Sequence, residues 1–291
     1  MDIVYKTIFS FSGGYNYLNQ QVCSQFRYMI IRVDELSYLG QLIQDNIRPV
    51  KFNPVKKIIK LAIQRGLVDI LQKFKDRLPE NLCELCAQSN LESLKWARTN
   101  NFAWGYYTCS NAAESGNLEI LQWAVSNGCV LNNWVLCCAA KAGRLEILEW
   151  CKENGRKGDE QVISSAAAKG HLEIVKYLGA GGCPWNEYTC SFAALEGRLE
   201  VLQWLREQGC PWNENTCNYA ALSGHLEVLQ WCRENGCSWS EETCDNAVKG
   251  GHLEVLQWAV ANGCPIDKRG CMKRLKIYRY KDIERWLSEV N

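Results

Sequence analysis

Residues 210–236 read CPWNENTCNYAALSGHLEVLQWCRENG, and close copies of this phrase recur along the chain at a constant interval. The anchor glycines are Gly116, Gly143, Gly170, Gly197, Gly224 and Gly251, evenly spaced throughout. Each is followed two residues on by Leu-Glu, and an aromatic comes at a fixed offset: Trp123, Trp150, Tyr177, Trp204, Trp231 and Trp258. A period this strict means one structural unit stacked on copies of itself. The functional question then concerns a surface rather than a single active-site cleft.

Within the phrase, Cys210-Pro211-Trp212 is an extended connector, because proline fixes its own φ and biases the residue before it away from helix. Asn213 is a helix N-cap, and Glu214 suits the positive end of the helix dipole. A short first helix follows, with small Ala220 and Ala221 permitting close helix contact, and Gly224 ends it with a left-handed cap. The second helix runs from His225 to Asn235, with Leu226, Leu229 and Cys232 on one face and Gly236 as its cap. In-phase second helices are expected near Leu91, Leu118, Leu145, Leu172, Leu199, Leu226 and Leu253. Ala62–Leu71 reads as an out-of-phase copy and Lys281–Leu287 as a shortened last helix. A leucine-rich repeat can share the period but needs a strand and Leu-x-x-Leu-x-Leu; Ala-Ala-x-x-Gly followed by Leu-Glu-x-Leu is helical in period instead.

The phrase AALEGRLEVL at residues 193–202 resembles the ankyrin repeat, with Gly182-Cys183-Pro184-Trp185-Asn186 standing where the ankyrin connector would be. Two features depart from the family. The usual ankyrin period is about 33 residues, longer than the interval from Gly197 to Gly224, so each unit here lacks the length of the β-hairpin finger. Tyr188-Thr189-Cys190-Ser191 also replaces the Thr-Pro-Leu-His tetrad. The variant is similar to short ankyrin-type repeats common in large DNA viruses and unicellular eukaryotes. The resemblance implies an all-α, ankyrin-like helical solenoid of about eight helix-turn-helix units with short connectors, binding protein without catalysis. The array is expected over 51–291.

Residues 1–50 do not fit the repeat. Ile8-Phe9-Ser10-Phe11, Tyr17-Leu18 and Val22-Cys23-Ser24-Gln25-Phe26-Arg27 resemble an F-box, with Ile8, Phe9, Leu18, Val22, Cys23 and Phe26 as the matched positions. That resemblance implies docking on the adaptor of a cullin-type ubiquitin ligase, with the array selecting the substrate. The family's Leu-Pro opening is absent, and Gly13-Gly14 makes a loose turn. The alternative is a helical cap on the solenoid.

Composition narrows the rest. The net charge is +1, so there is no whole-chain footprint for nucleic acid, which is not the expected partner. No apolar run reaches a membrane span of about 18 residues. The N-terminus lacks a basic start and a small-residue cleavage site, so no secretory signal is expected. The 17 cysteines fall mainly into two columns. Cys183, Cys210, Cys237 and Cys264, with Cys129 in phase, lie in connectors. Cys109, Cys190, Cys217, Cys244 and Cys271 lie in first helices. Column neighbours would stand about 8–10 Å apart, beyond the roughly 7 Å that a disulfide spans. The thiols are expected to be small buried hydrophobes in a reducing compartment, cytosol or nucleus. No zinc spacing, Gly-rich phosphate loop or isolated nucleophile–base pair occurs, so neither enzyme nor cofactor is expected.

His171, His225 and His252 share a column with Arg144, Arg198 and Asn117 and are expected to bridge neighbouring turns rather than to catalyse. Tryptophans of the second helices and of the connectors (Trp104, Trp185, Trp212, Trp239) are expected to fill seams, with Trp185, Trp212 and Trp239 also candidates for a partner. Positions that vary between units while the alanine column stays fixed are free to face that partner. They are Tyr107, Trp134, Tyr188, Asn215 and Glu242 at the second position, and Asn111, Phe192 and Tyr219 at the sixth. A monomer binding one or more protein partners is expected. Lys268, Arg269, Lys273, Arg274 and Lys276 make the C-terminal end basic.

Overall fold

The computed structural model describes residues 56–289. Segment 1–50, with Ile8, Phe9, Leu18, Val22, Cys23 and Phe26, lies outside the described residues. Among the described residues all regular structure is helical. The order is α1 Lys56–Arg65, α2 Val68–Lys73, α3 Leu82–Ala87, α4 Leu91–Thr99, α5 Thr108–Ser115, α6 Leu118–Ser126, α7 Asn133–Lys141, α8 Leu145–Glu153 and α9 Glu160–Lys169. It continues with α10 Leu172–Ala180, α11 Glu187–Leu195, α12 Leu199–Glu207, α13 Glu214–Leu222, α14 Leu226–Glu234, α15 Glu241–Gly250, α16 Leu253–Ala261, α17 Lys268–Tyr278 and α18 Lys281–Glu289. The 18 helices make nine helix-turn-helix pairs, one more than the eight expected, because the out-of-phase copy and the last helix each complete a pair.

The chain divides into two compact units: residues up to Ala112 with Glu119–Cys129, and Ala113–Leu118 with Val130 onward. In the first, α1 packs on α3, α2 on α4 and α3 on α4. In the second, the first helices α7, α9, α11, α13, α15 and α17 pack one on the next, and each also packs on the second helix of its own pair. Two columns of small residues make that possible. Ala139, Ala166, Ala193, Ala220 and Ala247 are fully buried, as are Ala140, Ala167, Ala194 and Ala221 beside them. Each second helix closes the core with a pair such as Val228–Leu229 or Val255–Leu256.

Caps set the helix starts. The side chain of Asn213 accepts from the backbone N–H of Asn215, and Asn186 accepts from Tyr188. Asp159 accepts from Gln161 and Val162. These bonds satisfy amide donors that a helix N-terminus leaves unpaired.

The turn glycines have two reasons to be glycine. Gly197 and Gly224 have φ of 69° and 79°, where a Cβ is strained. Their other constraint comes from the next pair. A Cβ on Gly197 would stand 2.7 Å from the His225 ring, and one on Gly224 would stand 2.5 Å from Nδ1 of His252. Arg144 lies over Gly116, His171 over Gly143 and Arg198 over Gly170 in the same way. These side chains also tie the turns together, as the sequence led us to expect. Arg144 Nε donates to the Glu114 carbonyl at 3.2 Å, and Arg198 Nε donates to that of Ala168 at 3.3 Å. His171 Nε2 lies 3.1 Å from the Lys141 carbonyl. A carbonyl only accepts, so Nε2 must carry the proton. Gly209, also at positive φ (79°), has nothing within 4 Å of a would-be Cβ. The expected result is a loss of about 1 kcal/mol for Gly209→Ala from backbone strain alone. For Gly197→Ala a loss of about 2–3 kcal/mol is expected, because the clash adds to that strain. Urea unfolding of the two variants side by side measures the difference.

Candidate interaction surface

The outward face of the first helices carries the variable positions. On α7 and α11, Trp134 is 50% exposed, Tyr188 47% and Phe192 38%. Leaving such large apolar side chains in water forgoes burial worth about 25 cal/mol per Å². Tyr188 and Phe192 sit one helical turn apart with ring centroids 6.4 Å apart. They line a groove of ≈ 740 Å³ running across α7, α9 and α11, with Trp134, Gln161 and Ser165 along it. Lys169 and Glu196, also at the groove and one repeat apart, pair at 3.0 Å. Apart from Cys137 and Ala168, the remaining lining residues are polar, so the groove offers aromatic surface flanked by hydrogen-bonding groups. Further along the row, Asn215 and Tyr219 are half-buried and Glu242 is exposed. In the first unit, Tyr107 is exposed and meets Tyr106 edge-on at 4.9 Å. Asn111 is half-buried and donates its side-chain amide to the Glu84 carbonyl at 3.1 Å.

The connector tryptophans lie elsewhere, in the seams. Trp212 meets Trp231 edge-on at 5.7 Å, and the Arg206 guanidinium lies over its ring at 4.2 Å. Trp239 is held in the same way by Trp258 at 5.8 Å and Arg233 at 4.1 Å. Arg206 and Arg233 also donate to the Cys210 and Cys237 carbonyls. Trp185 meets Trp204 at 6.2 Å and has no arginine in that place. There Gly179 leaves the room, since a Cβ would stand 2.8 Å from Cζ3 of Trp185. Each of these rings packs against its neighbours and joins consecutive pairs, so Trp185, Trp212 and Trp239 serve packing. These contacts fit the seam role expected from the sequence, and all three rings keep part of their surface in solvent.

Beneath the outward face runs a polar ladder that the sequence reading missed. Thr189, Thr216 and Thr243 are fully buried, one per first helix. Ser164 Oγ lies 2.9 Å from Thr189 Oγ1, and Ser191 Oγ lies 3.4 Å from Thr216 Oγ1. Thr243 Oγ1 donates to Asn218 Oδ1 at 2.6 Å. The ladder ends at Asp245, which is 9% exposed and grips Arg274. Buried hydroxyls must pair with something, and here they pair with one another across consecutive first helices. The threonine column at the repeat spacing was the available signal.

Cysteines pack as the sequence suggested, with one exception. Connector thiols donate to the N-cap carbonyl 24 residues earlier: Cys210 to Asn186 at 3.5 Å, Cys237 to Asn213 at 3.3 Å and Cys264 to Ser240 at 3.3 Å. The two columns also meet each other. Cys190 is pushed up by its hydrogen bond with Cys210, and Cys244 by its hydrogen bond with Cys264, burial adding to both. Cys237 is drawn down by hydrogen bonds from Cys217 and Cys232. At the same 20-residue spacing, Cys109 and Cys129 form a disulfide with Cα atoms 6.7 Å apart. The expectation that no pair could bridge weighed distances within a column, whereas the close pairs run between columns. Fourteen other cysteines among the described residues are free.

Burial pushes Cys83, Cys137 and Cys151 up from the ordinary 9.0 to about 11, and Cys86, Cys183 and Cys271 to about 12. A thiol raised on folding contributes stability that is complete below pH 9.0 and lost as pH climbs through the folded value. The stability that lowered Cys237 contributes is already complete above pH 9.0. Urea midpoints are therefore expected to fall between about pH 9 and about pH 12. A midpoint that holds steady across that range would contradict the burial argument.

Among the described residues no cluster of three or more His, Cys, Asp or Glu is arranged to hold a metal ion. No described helix is long and apolar enough to cross a membrane.

Two overlapping stretches, residues 190–231 and 217–260, match the family model described as ankyrin repeats in many copies. They run from α11 to α16, so these units are similar to ankyrin repeats. The two preceding helix pairs, α7–α8 and α9–α10, share their helix lengths and turn-glycine contacts. No curated protein matches the chain.

Proposed function

We propose that the exposed face of the first helices is a protein-binding surface centred on Trp134, Tyr188 and Phe192. The observation that carries this reading is the coincidence of two things. Three large apolar side chains remain solvent-exposed around one groove, and all three occupy positions that vary from unit to unit. Ankyrin repeats support the general role, an interaction module, and catalysis is no part of it. Tyr107, Asn111, Asn215, Tyr219 and Glu242 extend the candidate face within their own units. Aromatic anchors ringed by polar groups are the usual carriers of binding energy at interfaces.

The finer role is that of a substrate-recognition subunit of a cullin-type ubiquitin ligase. Its support is the resemblance of Ile8, Phe9, Leu18, Val22, Cys23 and Phe26 to an F-box ahead of the repeats. The alternative is a non-enzymatic scaffold in which segment 1–50 only caps the array. Affinity capture with mass spectrometry, comparing the full chain with one beginning at residue 48, separates them. The ligase role requires that only the full chain captures the adaptor, while partners shared by both are targets. Equal adaptor recovery by both, or by neither, leaves the scaffold.

A further inference from the structure

The row of first helices in the second unit ends on a helix unlike the others. One repeat interval on from Glu242, Asn246 and Lys249 stand Arg269, Lys273 and Lys276. All three are exposed on α17, and among the described residues none has an ion-pair partner. The helix, KRGCMKRLKIY, contains no acidic residue. Arg274 points the other way: its guanidinium grips Asp245 with two contacts, Nη1–Oδ1 at 2.8 Å and Nη2–Oδ2 at 2.7 Å. The Cys271 thiol donates to the same carboxylate at 3.3 Å. This clamp holds α17 against α15 and leaves Arg269, Lys273 and Lys276 facing solvent, on the same helix as Ile277, which is 75% exposed.

A ligand with charge all along it, such as a nucleic-acid strand, would need a continuous cationic track. The row does not provide one. Exposed Glu214, Glu241 and Glu242 stand on α13 and α15, and they would repel phosphate as it left α17. A protein segment whose negative charge is local meets no such conflict. From α11 to α17 is three helix-to-helix steps, about 27 Å at the usual spacing, which about eight extended residues span.

Building on the proposed binding face, we infer that the partner is a protein segment with two parts. An apolar cluster enters the groove at Trp134, Tyr188 and Phe192, and a run of aspartate or glutamate about eight residues away lies on Arg269, Lys273 and Lys276. Selection from a displayed library of random peptides of about 16 residues, with the full chain as bait, tests this. Two variants are then assayed for binding the selected peptides: Trp134→Ala/Tyr188→Ala/Phe192→Ala, and Arg269→Glu/Lys273→Glu/Lys276→Glu. The expected peptides pair an apolar cluster with a distant acidic run. They should bind the charge-reversed chain about tenfold more weakly, because three exposed pairs each contribute a modest share, and the loss should shrink as salt rises. Apolar peptides without acidic bias, unaffected by the charge reversal, would overturn this inference and leave the groove standing. Peptides indifferent to both variants would overturn both readings. Binding of labelled oligothymidylate that disappears with the same three reversals would assign the patch to nucleic acid and overturn the inference.

Discussion

Leu229→Ala is expected to cost the array about 3–4 kcal/mol. Leu229 is fully buried on α14, between Val228 at 3% exposure and Cys232 at 0%. Removing three carbon atoms forfeits their transfer from water and leaves a void that α13 and α14 cannot close without shifting their alanine contacts. The effect should reach beyond one pair. In a stack each unit is held by its neighbours, so a weakened central unit uncouples the two sides. A urea titration should therefore show an earlier and broader transition, not only a displaced one. Leu229→Met conserves volume and should cost less than about 1.5 kcal/mol. Equal losses for the two variants would mean that the site tolerates a void, contrary to the packing described.

The second large effect concerns binding. Each of Trp134→Ala, Tyr188→Ala and Phe192→Ala should weaken the partner by about 2 kcal/mol, roughly thirtyfold, if these rings are its anchors. Tyr188 and Phe192 touch, so their double variant should lose less than the sum of the two single losses. Trp134 lies on α7, two first helices away, and should add nearly independently. The loss of stability should stay smaller than for a core side chain, because the three are 50%, 47% and 38% exposed. Trp212→Ala is the informative contrast. Its ring is packed against Arg206 and Trp231, so the variant should lose stability and keep intrinsic affinity. Titration calorimetry on the isolated complex, read with thermal unfolding of each variant, separates the two kinds of loss.

How much of this was legible in the sequence depended on how local the cause was. Turn glycines, N-cap asparagines and the alanine columns act within a few residues or repeat unchanged. Asn213, Gly224 and Ala220 accordingly take the places that the phrase at 210–236 assigned them. The His and Arg column was placed correctly because a copy of a turn one repeat on must lie beside its neighbour. Contacts between unlike columns were harder. The Ser164–Thr189 and Asn218–Thr243 bonds join different positions of consecutive units, and the Cys109–Cys129 pair joins two columns, so no single-column reading reveals either. The connector tryptophans were ambiguous because an aromatic that bridges seams and one that binds a partner have the same composition. The arginine over Trp212 and Trp239 and the missing Cβ of Gly179 beside Trp185 show the seam contacts, which no spacing reveals. The variable positions were legible as a set, but which of them gather around one groove depends on the stacking of α7, α9 and α11.

The most direct test of the binding face is site-specific photocrosslinking in native extract. A p-benzoylphenylalanine replaces Tyr188 on α11 or, on the second-helix row, exposed Glu200 on α12. A discrete partner adduct is expected from position 188 and none from position 200. An adduct at 200 with none at 188 would place the interface on the second helices and contradict it.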